Sequence, residues 1–109
     1  MPAGEEERAQ VFYRDALGFP ELPKPSHLAV RGGAWFESDE VKVYLGVDIN
    51  FVAAKKAHPA FIVRDLAGLI EHLENGGYEV VDDEPLEGYS RVCIFDPFGN
   101  RLEFLEPLR

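Results

Sequence analysis

The sequence predicts an α+β protein built from two copies of one strand–helix–three-strand unit, the first copy short of its opening strand. Three observations carry this. Aligning Phe12-Tyr13-Arg14-Asp15-Ala16-Leu17-Gly18 with Ile70-Glu71-His72-Leu73-Glu74-Asn75-Gly76 sets an offset of 58 positions and matches Glu21 to Glu79. The strand-like run His58-Pro59-Ala60-Phe61-Ile62-Val63 precedes the second helix, and the same offset puts the counterpart of His58 at position 0. Each helix is followed by three strand-like runs separated by Gly and Pro turns.

The elements follow in order. Over residues 5–17 the apolar positions Ala9, Phe12, Tyr13 and Ala16 recur at helical spacing, three glutamates sit at the positive end of the helix dipole, and Gly18 can end the helix. Strands are expected over 28–30, 34–37 and 41–47. In the second half Asp65 is positioned as an N-cap, Leu66, Leu69, Ile70 and Leu73 repeat the helical stripe, and Gly76-Gly77 ends it. Strands over 78–81, 90–95 and 101–105 complete the unit. Module one is expected to span residues 1–50 and module two 57–107 of a single domain.

Alternation separates the strand faces. In Val41-Lys42-Val43-Tyr44-Leu45-Gly46-Val47 the aliphatics share one side, leaving Lys42 and Tyr44 on the other, where Tyr44 would look into any concavity of the sheet. Trp35 and Phe36 take opposite sides of their strand, one for the core and one for a pocket. In Arg101-Leu102-Glu103-Phe104-Leu105 a carboxylate stands in a half-buried strand. A buried, unpaired charge costs several kcal/mol, on the order of 3–5, so Glu103 requires a cation or water.

Composition excludes several classes. At 109 residues with 46% hydrophobic content the chain suits one domain with a real core. A formal charge of −9 opposes binding to a phosphate backbone, so nucleic acid is not an expected partner. No apolar run reaches membrane-spanning length, and the first residues lack the basic and apolar regions of a signal peptide, so a cytoplasmic location is expected. The single cysteine, Cys93, cannot form an intrachain disulfide and agrees with a reducing compartment.

Three segments, His58-Pro59-Ala60-Phe61-Ile62-Val63-Arg64-Asp65-Leu66, Glu74-Asn75-Gly76-Gly77-Tyr78 and Asp96-Pro97-Phe98-Gly99-Asn100-Arg101-Leu102-Glu103-Phe104, occur in order at compatible spacing. Together they resemble the second module of the vicinal oxygen chelate superfamily, which includes glyoxalase I, bleomycin-resistance proteins, fosfomycin-resistance enzymes and extradiol dioxygenases. Residues 9–19 resemble, more loosely, the helix after that family's first strand. The resemblance implies the glyoxalase/bleomycin resistance/dioxygenase fold, paired βαβββ modules curled around a divalent metal ion whose ligands come from the first and last strands of each module. Carried over by position, His58 and Glu103 are the ligands of module two. Tyr44 lies near the last-strand position of module one, a weak ligand because a phenol seldom ionises near neutrality. The first-strand ligand of module one has no residue in the sequence. An imidazole with a carboxylate suits Zn, Ni, Mn or Fe.

Each candidate also has an ordinary reading. Glu103 could instead pair with Arg91 or Lys42. Arg91 shares a strand face with Cys93 and Phe95 and could orient an anionic group, although a solvated strand-end arginine is the default. Cys93 reads as a small lining or core residue, and His27 and His72 as surface residues. Two functions follow. One is metal-assisted lyase, isomerase or dioxygenase chemistry on a small molecule with vicinal oxygens, using His58, Glu103, Arg91 and Tyr44. The other is metal-free sequestration of a planar compound, as in the bleomycin-resistance branch, using Trp35, Phe36, Tyr44 and Phe95. The missing strand suggests either a start at an internal methionine, with the strand encoded upstream, or, for this form of the chain, an unpaired sheet edge in module one, from which a homodimer is expected.

Overall fold

The computed structural model describes residues 1–38 and 40–108, which fall into two compact units, Met1–Val52 and Ala53–Arg109. In the first, helix α1 (Glu6–Ala9) runs directly into a π-helical segment, Gln10–Ala16. An α-helix was expected throughout. In the wider turn the Leu17 amide donates to the Phe12 carbonyl, five residues back, at 2.9 Å. Each residue then advances less around the axis, so the adjacent Phe12 and Tyr13 both point inward. Their rings meet edge to face at 5.0 Å, and Tyr13 stacks on Phe36 at 5.5 Å. Gly18, at φ 81°, closes the helix as expected.

Strands β1 (Glu21–Leu22), β2 (Ala34–Glu37) and β3 (Lys42–Leu45) form an antiparallel sheet with β2 central. β2 occupies the residues expected of it, with Phe36 in the core and Trp35 half-buried on the other side. The expected strand over 28–30 is instead part of the short helix α2 (Ser26–Ala29). Pro25 caps it: its carbonyl accepts from the Leu28 and Ala29 amides, both at 2.9 Å. Three apolar residues in a row carry no periodicity, and the preceding proline, with φ fixed, decides the local geometry.

Among the described residues no strand precedes α1. Met1 is nevertheless buried. Its amine donates to the Gly46 carbonyl at 2.7 Å and its carbonyl accepts from the Asp48 amide at 2.9 Å, a parallel pairing centred on Val47. One residue thus lies along the end of β3 in the sense in which β4 lies along β7 in the second unit.

That second unit holds a four-stranded sheet in the order β4-β7-β6-β5, made of β4 (Ala60–Ile62), β5 (Val81–Asp82), β6 (Tyr89–Phe95) and β7 (Arg101–Pro107). β4 runs parallel to β7, the other pairs antiparallel. Helix α3 (Leu66–Asn75) starts where the Asp65 carboxylate accepts from the Gly68 amide at 3.0 Å, and buries Leu66 and Leu73. Val92, Ile94, Leu102 and Phe104 fill the core, with Phe61 stacked on Phe104 at 5.4 Å. The opposite side of the same sheet carries Arg91, Cys93, Arg101 and Glu103.

Gly33 supplies a test of the first unit. Its φ is 88°, and a Cβ there would stand 2.2 Å from the Leu45 carbonyl oxygen, whereas a Cβ at Gly46 meets nothing within 4 Å. Urea unfolding of Gly33→Ala should show a loss of at least about 2 kcal/mol. Gly46→Ala should stay within about 0.5 kcal/mol of the parent.

Candidate functional site

His58 sits just before β4, and Glu103 lies in β7 opposite Ala60 on one side and Cys93 on the other. The short parallel pairing brings the two side chains together, with His58 Nε2 and Glu103 Oε1 2.9 Å apart. His58 Nδ1 lies 2.8 Å from the Lys56 carbonyl oxygen. A carbonyl only accepts, so Nδ1 carries the proton that bonds it. In a neutral ring Nε2 then presents a lone pair to a carboxylate, which is unfavourable unless a proton or another cation lies between them. A backbone carbonyl that fixes the ring in this tautomer is the arrangement of a metal-ligating histidine.

Glu103 is 4% exposed and has a second partner. Arg91 Nη1 stands 3.3 Å from each of its oxygens, while Arg91 Nε donates to the Glu84 carbonyl at 2.9 Å. The pairing of Glu103 with Arg91 is one of the two partners expected from sequence. The other, Lys42, pairs with Glu37 at 3.6 Å.

Two further residues complete this face and were not read from the sequence. Asp83 Oδ2 lies 3.5 Å from Arg91 Nη1 and accepts from Arg101 Nη2 at 3.1 Å. The Glu84 amide bonded to Asp83, then the charges of Arg91 and Arg101, hold its carboxyl below the usual range despite burial. Cys93 and then Asp83 hold the Arg101 guanidinium above its usual value. Arg101 could have been found from strand alternation, since it stands two residues before Glu103. Asp83 could not, because its position depends on how β5 registers on β6.

In the first unit Trp35 and Tyr44 face each other across β2 and β3, their rings stacked at 4.2 Å with 12° between planes. Both line a cleft of about 420 Å³, as expected of the sheet side they occupy. The Tyr44 hydroxyl donates to Glu37 at 2.7 Å, and that hydrogen bond raises its pKa. This makes the phenol harder to ionise and a poorer metal ligand. Phe95 is partly exposed on β6, opposite Arg101. His27 and His72 are exposed on their helices, and Cys93 is buried.

Among the described residues no three His, Cys, Asp or Glu side chains converge as a metal cage. His58 and Glu103 fit a divalent ion as two donors, one nitrogen and one oxygen, and Arg91 competes for the same carboxylate.

With this fold and site the chain belongs to the glyoxalase/bleomycin resistance protein/dioxygenase superfamily, whose sequence profile matches residues 2–104. A solved protein from Bacillus anthracis assigned to the glyoxalase family is 42% identical and matches with a TM-score of 0.95 over 99% of this chain and 88% of its own. More distant matches share the fold. A lactoylglutathione lyase from Agrobacterium tumefaciens is 23% identical, with a TM-score of 0.72 over 97% of this chain and 88% of that one. TnmS3, an antibiotic binding protein from Streptomyces sp. CB03234, is 18% identical, with a TM-score of 0.79 over 99% of this chain and 91% of that one. No curated protein matches the chain.

Asp83 gives the site a pH signature. A carboxyl whose folded pKa lies below its unfolded 3.8 adds stability at higher pH and loses it as pH falls through the folded value. Urea unfolding should therefore find Asp83→Asn less stable than the parent at pH 7, with the gap closing below about pH 4. A gap independent of pH would contradict this.

Proposed function

We propose that the chain performs metal-assisted chemistry on a small molecule with adjacent oxygens, of the lyase, isomerase or dioxygenase type, at the His58–Glu103 face of the second unit. The single observation carrying this is the His58 ring: Nδ1 is committed to the Lys56 carbonyl and Nε2 aims at a buried carboxylate. A divalent ion of the Zn, Ni, Mn or Fe type held there would polarise a substrate oxygen as a Lewis acid. His58 and Glu103 would hold the ion, water or substrate would supply its other ligands, and Arg91 would offer a guanidinium to an anionic substrate group. Asp83 keeps that guanidinium oriented.

A second reading, binding without turnover, is favoured by a different observation. The Arg91 guanidinium already lies against both oxygens of Glu103, so the buried charge has a partner without any ion. The lyase and antibiotic-binding fold relatives are compatible with either reading.

Calorimetric titration with Ni, Mn, Zn and anaerobic Fe(II) tests the proposal. The parent should bind at about micromolar affinity or tighter, and His58→Ala and Glu103→Ala should each weaken binding by about tenfold or more. Binding indifferent to both changes would rule out this metal site.

We also infer a homodimer acting in a reducing compartment such as the cytoplasm. Exposed Ile62 on the edge strand β4 of the second unit supplies apolar surface for pairing, the first unit separately exposes Val30, Ile49 and Val52, and Cys93 is a free thiol. Sedimentation at micromolar concentration should report twice the 12.2 kDa chain mass, and a monodisperse monomer would refute the dimer.

A further inference from the structure

We infer that Arg91 is a displaceable counter-cation of Glu103, which moves onto Asp83 when His58 and Glu103 take up a divalent ion, so that Arg91 and Asp83 together set the affinity of that site. The inference rests on the metal reading proposed above and adds its regulation. Its ground is the way Arg91 is held. Nε is bound well, donating to the Glu84 carbonyl at 2.9 Å. Nη1 is not: it stands 3.3 Å from each oxygen of Glu103 and 3.5 Å from Asp83 Oδ2. A closed guanidinium–carboxylate pair uses two nitrogens at about 2.7–2.9 Å. Here one nitrogen is shared among three oxygens at longer range, so the group stands between two acids and closes on neither.

The second seat is already built. Asp83 Oδ1 accepts from the Glu84 amide at 2.8 Å and Oδ2 from Arg101 Nη2 at 3.1 Å. A carboxylate offers about four acceptor positions, so room remains beside Arg101. The Glu84 backbone fixes both parts, Arg91 through its carbonyl and Asp83 through its amide, and a turn of the guanidinium about Nε carries Nη1 from one acid to the other. Competition falls on one atom, because Glu103 Oε1 faces both His58 Nε2 at 2.9 Å and Arg91 Nη1 at 3.3 Å. A divalent ion held by that nitrogen and that oxygen would set its charge against the guanidinium where Glu103 is buried and screening by salt is weak. Without an ion, Arg91 spares Glu103 the cost of an unpaired buried charge. Arg91 therefore raises the metal concentration needed to load the site, and Asp83 lowers it by receiving Arg91.

Calorimetric titration with Zn at pH 7 tests this on the parent, Arg91→Gln, Asp83→Asn, the variant carrying both changes, and His58→Ala. Arg91→Gln should bind Zn about tenfold or more tighter than the parent, and Asp83→Asn about tenfold weaker. With both changes made, the loss of Asp83 should add nothing, since no guanidinium is left to receive, whereas charges acting independently through space would add. The parent gives a check that needs no variant to fold: in nitrogen-15 spectra of the arginine side chains, saturating Zn should shift the Arg91 Nη signals while its Nε–H stays bonded to Glu84. Arg91→Gln binding no tighter than the parent, additive effects in the double variant, or Arg91 signals untouched by saturating Zn would overturn the inference. The metal reading would survive those results if His58→Ala still abolished binding. No binding by any of these proteins, Arg91→Gln included, would overturn both.

Discussion

The second unit is organised around one constraint, a carboxylate 4% exposed in the middle of strand β7. Its neighbours in sequence, Leu102 and Phe104, bury on the other side of the sheet, so Glu103 cannot leave without removing them from the core. Breaking a buried charge pair by deleting one partner costs about 3–5 kcal/mol, which is a large share of the stability of a small domain. The surrounding residues answer this. His58 arrives through the parallel pairing of β4, Arg91 through the antiparallel pairing of β6, and Asp83 with Arg101 extends the chain of alternating charges. A face assembled in this way sets charges of both signs side by side.

The first unit solves a different problem. Among its described residues it has no buried carboxylate to satisfy, and Tyr13, Phe12 and Phe36 supply its core through ring contacts. With the core served from one side of β2, Trp35 is free to stack on Tyr44 on the other. The two units thus carry different chemistry, aromatic in one and ionic in the other. This is why neither enzyme nor binding chemistry follows from the fold alone.

Much of this was legible in the sequence, for identifiable reasons. β2 and α3 were read well because alternation and an N-cap leave local signals: Trp35 against Phe36, and Asp65 ahead of the Leu66 stripe. The need of Glu103 for a partner, and Arg91 as one candidate, followed from charge and strand parity. Residues 28–30 were misread because three apolar residues have no period and Pro25 governs their backbone. The π-helical segment was missed because the same apolar positions satisfy either turn. β1 and the place of Asp83 depend on strand register, which is settled by tertiary pairing. The orientation of the His58 ring depends on a backbone carbonyl two residues away, and no residue identity encodes that.

The account stands most directly on that ring. Nitrogen-15 NMR of the His58 imidazole, recorded before and after addition of Zn, reads each ring nitrogen separately. The account predicts that Nδ1 keeps its proton throughout and that the metal acts at Nε2, the nitrogen facing Glu103. A ring untouched by saturating metal, or one in which Nδ1 is the nitrogen that responds, would contradict it.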